Sequence, residues 1–126
     1  MKTQWITKEF TYDGTQLRSL YAYLDHRILG NSVVAWQGPC SIDFSHMVDG
    51  EDLLAQETIA GSKMLHFIVE LFDRDLFSAV TVQRLFAAIV RDYLFEKSGK
   101  NLVRKGDDLY LGDKKLSISI ASKSPK

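Results

Sequence analysis

A single cysteine, Cys40, leaves nothing to form an internal disulfide or a thiolate metal cluster, and that sparing use fits a reducing cytosol. Excess charge is missing too: sixteen basic residues stand against sixteen acidic ones. This removes the strongly basic face that nucleic-acid binding requires. Long apolar runs are absent. The longest uninterrupted one, Leu85 to Val90, is far too short for a bilayer span, and MKTQWITKEF has no apolar core of signal-peptide length. No internal repeat, low-complexity tract or second-domain linker interrupts the 126 residues. The expectation is one cytoplasmic domain, residues 1–126, without a membrane or nucleic-acid partner.

What is present reads as alternating strands and helices. Gln4 to Thr11 alternates loosely and predicts a first strand. Asp13 with Gln16 three residues on forms a capping-box pattern, and Leu17, Leu20, Tyr21, Leu24 and Ile28 follow as one apolar stripe. A helix is therefore expected, closing at Gly30-Asn31, with His26 on its solvent side. SVVAWQ, residues 32–37, predicts a short buried strand that breaks at Gly38-Pro39-Cys40. Ser41 to Lys63 is the longest irregular stretch, and loops of that length are functional or mobile. Its carboxylates, Asp49 and Asp52 foremost, are candidate oxygen ligands for a divalent cation. The alternative is a solvated acidic loop. Cys40 and His46 lack the second ligand pair that zinc needs.

MLHFIVELF, residues 64–72, predicts the central strand. Leu65, Phe67, Val69 and Leu71 form one apolar face and His66, Ile68, Glu70 and Met64 share the other, and a run so nearly continuous in apolar residues reads as covered on both sides. A histidine and a carboxylate within such a strand demand partners. His66 and Glu70 are candidate ligand-binding residues, with a satisfied core histidine as the plainer account of His66. Arg74 and Arg84 are the candidate partners of Glu70. A second helix is expected from Asp73 or Asp75 to Glu96, its apolar stripe interrupted by Gln83 and Arg84, which makes those two residues site candidates.

The segment RKGDDLYLGDKKLSISIAS, residues 104–122, reads as a β-hairpin turning at Gly112-Asp113. A two-residue loop opposes Leu111 to Lys114, Tyr110 to Lys115 and Leu109 to Leu116. Leu109, Leu111, Leu116 and Ile118 then form a core face, and Asp108, Tyr110, Lys115, Ser117 and Ser119 a polar one. Asp108 and Lys115 become diagonal neighbours that long side chains can bridge.

This hairpin resembles the core motif of biotin-protein and lipoate-protein ligases. Asp107-Asp108-Leu109 stands where those families carry Asn-Asp-aliphatic, and Lys115-Leu116-Ser117-Ile118-Ser119 where they carry Lys-aliphatic-small-x-small. Asp107 departs from the asparagine, and Ser119 from a glycine or other small residue. The resemblance implies that Lys115 contacts an acyl carboxylate and an adenylate phosphate. It also implies that Asp107 and Asp108 lie by the nucleotide and its magnesium, with ATP as cosubstrate. A longer resemblance, through MVDGED, MLHFIVELFD, QRL, GDDLY and KLSISIA, is to an uncharacterised archaeal and bacterial family, DUF366. It implies the same ligase-like α+β fold: a mostly antiparallel sheet with helices packed on one face. Members of the resembled families continue past KLSISIA, so a C-terminally short form is expected.

Three functions fit. One is a ligase or acyltransferase that binds an adenylate on the hairpin through Lys115, with Asp107, Asp108 and Ser117 beside it. The second is a non-catalytic domain binding a small-molecule ligand on the same fold. The third is a structural homo-oligomer paired through an exposed sheet edge.

Overall fold

A methyl group on Gly38 would lie 2.0 Å from the carbonyl oxygen of Phe10, and much of the first unit is arranged around that close approach. The computed structural model describes residues 1–42 and 59–123. In chain order it has β1 (Lys2–Trp5), α1 (Tyr21–His26), β2 (Ser32–Ile42), β3 (Ile59–Glu70), α2 (Leu76–Ser98), β4 (Val103–Lys105), β5 (Asp108–Leu111) and β6 (Lys114–Lys115). Two compact units divide the chain, Met1–Asp73 and Arg74–Pro125. Each has its own three-stranded sheet, so the protein is α+β with two small sheets where one was expected.

In the first unit β1 runs parallel to β2, and β2 antiparallel to β3. The expected break at Gly38-Pro39 is not there, because β2 continues through it to Ile42 with a register shift between Gly38 and Cys40. Proline donates no ladder hydrogen bond, and a bulge is where a strand tolerates one. Its carbonyl is used instead: Pro39 accepts from the Tyr12 amide at 2.8 Å, and Ser41 donates to Tyr12 at 2.9 Å. The expected irregular stretch is shorter than Ser41–Lys63, since both of its ends are strand. Asp43, His46, Asp49, Glu51 and Asp52 lie outside the described residues.

β3 is buried on one face, where its nearly continuous apolar run predicts cover on both. His66 and Ile68 are 8% and 7% exposed, whereas Leu65 and Phe67 are 55% and 38% exposed. The register explains this. Trp36 opposes His66, Val34 opposes Ile68 and Ser32 opposes Glu70, so His66 shares a face with the fully buried Trp36 and Val34. Ile6, Phe10, Tyr12, Tyr21, Ala22 and Ile28 close that face.

The first helix is also shorter than its stripe suggested. One half of the capping box is found, with Gln16 Oε1 accepting from the Asp13 amide at 3.2 Å, while Asp13 Oδ1 accepts from the Thr15 amide at 3.0 Å. The backbone is left-handed at Gly14 and again at Leu20, which turns the chain before a helix can propagate. Arg27, also left-handed, ends α1, with its amide bonded to Tyr23 and that of Ile28 to Ala22.

In the second unit the boundaries of α2 follow its signals. The Asp75 side chain caps the Ser78 amide at 2.8 Å, and Gly99 ends the helix at φ 73°. Part of its apolar stripe stays at the surface, at Leu76, Ile89, Tyr93 and Leu94; Ala87 is buried with Leu102 and Leu109, and Val90 packs against them. Three short strands offer little area to a 23-residue helix. The hairpin has the expected register, Tyr110 to Lys115 and Leu111 to Lys114, around Gly112 at φ 61°. Its second strand ends at Lys115, short of the expected Ile120. The Leu109 amide bonds to Ser117 Oγ at 2.9 Å, so a side chain takes the donor that would have continued the ladder. Leu116 and Ile118 are consequently exposed, and of the expected core face only Leu109 is buried.

Candidate functional site

Strand parity in the second sheet places Lys105, Asp108, Tyr110 and Lys115 on one face. Lys115 Nζ lies 3.5 Å from Asp108 Oδ2, with 44% and 25% of the two side chains exposed. Lys105 Nζ stands 5.0 Å from the centre of the Tyr110 ring, a cation–π contact. Beside this face Gln83, from α2, donates its amide to Asp107 Oδ2 at 2.8 Å and to Ser119 Oγ at 2.6 Å. Both hydrogen bonds fix the orientation of the Gln83 amide and hold Asp107 against the helix. Arg84 lies beside Gly106, its guanidinium 3.9 Å from where a Cβ would stand, and Arg104 Nη1 donates to the Gly106 carbonyl at 2.7 Å.

Six of the sequence-derived site residues therefore belong to one unit: Gln83, Arg84, Asp107, Asp108, Lys115 and Ser117. His66 and Glu70 belong to the other unit and to another sheet, where a single mostly antiparallel sheet was expected to carry β3 and the hairpin together. Both have structural partners. His66 Nε2 lies 2.9 Å from the Gly38 carbonyl, which can only accept, so Nε2 carries the proton. Neither Arg74 nor Arg84 is the partner found for Glu70. Its Oε1 accepts from the backbone amide of Ala22 at 2.7 Å, in the first turn of α1. Ala22 is fully buried, so losing that acceptor strands a donor. Glu70→Ala is expected to cost about 1–3 kcal/mol and Glu70→Gln, which keeps an acceptor, less than about 1 kcal/mol. Urea unfolding of the two variants reads this order.

Asp49 and Asp52, the candidate metal ligands, lie outside the described residues. Among the described residues no group of three or more His, Cys, Asp or Glu is placed to hold a metal ion. Asp107 and Asp108 are two carboxylates already engaged by Gln83 and Lys115. Such a pair suits magnesium carried in by phosphates, which usually keeps only one or two protein carboxylates, better than an all-protein cage. Burial pushes the Cys40 thiol up, away from the thiolate form a nucleophile needs.

Sequence reasoning missed a second group, in the first unit. Tyr21 and His26 are joined by a hydrogen bond, Tyr21 Oη to His26 Nε2 at 2.8 Å, with the rings edge to face at 5.2 Å. His26 is thus half buried against Tyr21, not on the solvent side of a long helix. Burial, and then the neighbouring Asp25 carboxylate, push the Tyr21 phenol up to about 12. A spacing of five along one short helix carries no sequence signal for such a pair.

Two small sheets, each associated with one helix, define an α+β protein whose polar residues gather on a hairpin. Its residues 1–126 match a domain of unknown function, DUF366, and the chain belongs to that family. It is 31% identical to an uncharacterised protein of Methanocaldococcus jannaschii across 98% of its own length and 58% of that protein's. It is also similar to the solved structure of a protein of unknown function from Pyrococcus horikoshi. There the TM-score is 0.90 and the identity 38%, covering 98% of this chain and 67% of that one.

Proposed function

We propose that the second unit binds a small molecule of the acyl-adenylate class on the Asp108–Lys115 face, with Lys115 as the contact to its phosphate or carboxylate. The observation that carries this reading is the half-exposed Lys115–Asp108 pair, standing beside an Asp107 that α2 holds in place. An exposed ion pair is worth only about 0–1 kcal/mol, so exchanging Asp108 for a ligand anion costs little. Asp107 and Asp108 would hold the magnesium that accompanies a nucleotide, and Ser117 and Ser119 keep the neighbouring surface low. The ligase-like motif through the hairpin supports the same assignment, and Lys115 is the residue that would stabilise charge at a reacting phosphoryl or acyl centre. The second reading, binding without catalysis, uses the same residues.

Calorimetric titration of the chain and of Lys115→Ala with ATP–magnesium, biotin and lipoate tests the assignment. Lys115→Ala is expected to lose about 1.5–3 kcal/mol of ligand affinity, roughly ten- to a hundredfold, while its Tm stays within a degree or so. Equal affinity in both proteins, or binding of none of the three probes, removes the assignment. Pyrophosphate release with a bound acid separates catalysis from binding.

A further inference from the structure

The surface of the first unit opens into a shallow cavity of about 330 Å³ lined by Ile6, Lys8, Phe10, Gln16, Tyr21, Asp25 and His26. Its size is at the small end of ligand pockets, which run from roughly 300 to 1,000 Å³. Most of its polar lining is already committed. The Gln16 side chain accepts from the Asp13 amide and donates to the Thr11 carbonyl at 2.9 Å. Asp25 is ion-paired with Arg18. The Tyr21 hydroxyl, which can donate or accept, engages His26 Nε2 at 2.8 Å, so the Nδ1 edge of the imidazole is the one left for another partner.

Two polar groups are left. Lys8 is exposed and pairs with no carboxylate among the described residues, and His26 has its Nδ1 edge, which offers a hydrogen to an anion in the tautomer where the Tyr21 hydroxyl donates to Nε2. The cavity they line also has apolar walls. Ile6 supplies one, and Phe10, stacked on Trp36 at 4.5 Å with the rings 13° from parallel, supplies the other. A lysine cation and an imidazole edge in a cavity with apolar walls suit an anion with a hydrophobic tail. Asp25 on the same wall disfavours a dianion even while paired, so a single negative charge fits better than a phosphate. An amine would meet Lys8, and an alcohol would leave its charge unanswered.

We infer that this cavity binds a small monocarboxylate, its acid group on Lys8 and His26 and its short aromatic or branched tail against Ile6 and Phe10. The inference uses no hairpin residue and stands or falls apart from the Lys115 assignment.

The test titrates the ¹⁵N-labelled chain with 3-phenylpropionate, 3-phenylpropanol and 3-phenylpropylamine, which share one carbon frame. Amide shifts are expected at residues 6–10 and 21–26, with the carboxylate bound about tenfold more tightly than the alcohol and the amine bound most weakly. Lys8 is exposed, so Lys8→Met leaves the fold intact; it should weaken the carboxylate about tenfold and leave the alcohol unchanged. Equal binding of carboxylate and alcohol, an unchanged carboxylate affinity in Lys8→Met, shifts confined to other residues, or no binding of any probe overturns the inference.

Discussion

Gly38→Ala is expected to unfold the first unit, with a loss of more than about 4 kcal/mol, the range reached only when a substitution breaks a defined structural feature. Gly38 is not there for a left-handed backbone; its role is space. A Cβ at this position would stand 2.0 Å from the Phe10 carbonyl oxygen and 2.8 Å from its carbon, both of them backbone atoms with no rotamer to retreat into. Relief requires the segment around Phe10 to leave β2. That movement would break the Trp36 Nε1–H bond to Phe10 at 3.1 Å and strain the two bonds that tie Tyr12 to Pro39 and Ser41. It would also disturb the Gly38 carbonyl that accepts from His66. Domains have only about 5–15 kcal/mol in hand, so a loss of this size leaves little folded protein at 37 °C. Gly112→Ala is the control. Gly112 sits at φ 61° with open space around it, so alanine there pays backbone strain alone, about 1 kcal/mol. Urea unfolding followed by circular dichroism should rank Gly38→Ala far below Gly112→Ala. Equal midpoints would mean that the close approach does not hold the unit together.

What could be read from the sequence was local. The start of α2 at Asp73 or Asp75, its end near Glu96 and the register around Gly112 each depend on a few neighbouring residues; the structure caps the helix at Asp75, carries it two residues further, to Ser98, and keeps the register. The Asp108–Lys115 contact follows from that register, so this part of the candidate site is legible too. Gln83 stood out as a polar interruption in an apolar stripe, but its partners Asp107 and Ser119 are 24 and 36 residues away. Period-two alternation says which residues share a face of β3, not which face turns inward. Leu65, Phe67, Val69 and Leu71 are the more apolar set, yet pairing with β2 and the cover supplied by residues 6–28 bury the set containing His66. A carboxylate such as Glu70 is expected to pair with an arginine, because carboxylates seek charge. Its partner is a main-chain amide, which no residue type announces. Gly38-Pro39 reads as a break because both residues weaken strands, and only the tertiary approach of Phe10 turns the glycine into a requirement.

Trp36→Ala should be the other severe substitution, and comparison with Trp36→Phe separates its two contributions. Trp36 is the largest fully buried side chain. Phe10 stacks on it, His66 lies 5.2 Å away, and Tyr12 and Tyr21 each lie 6.3 Å away, centre to centre. Cutting such a side chain to alanine costs about 3–5 kcal/mol, because the lost transfer energy adds to the cavity that remains. Phenylalanine keeps most of the ring and its stacking but removes the N–H. The Phe10 carbonyl then loses that donor, a deficit of about 1–3 kcal/mol where water cannot replace it. The expected order of stability is therefore wild type, Trp36→Phe, Trp36→Ala. Fluorescence gives a readout specific to this position, since the only other tryptophan, Trp5, is half exposed and emits to the red. Trp36→Phe should lose the blue component while its urea midpoint falls only part of the way to that of Trp36→Ala. If Trp36→Phe matched the wild type, the N–H bond would contribute nothing to the fold. If Trp36→Ala lost less than about 1 kcal/mol, well under the usual core penalty, the ring cluster would not be the centre of this unit.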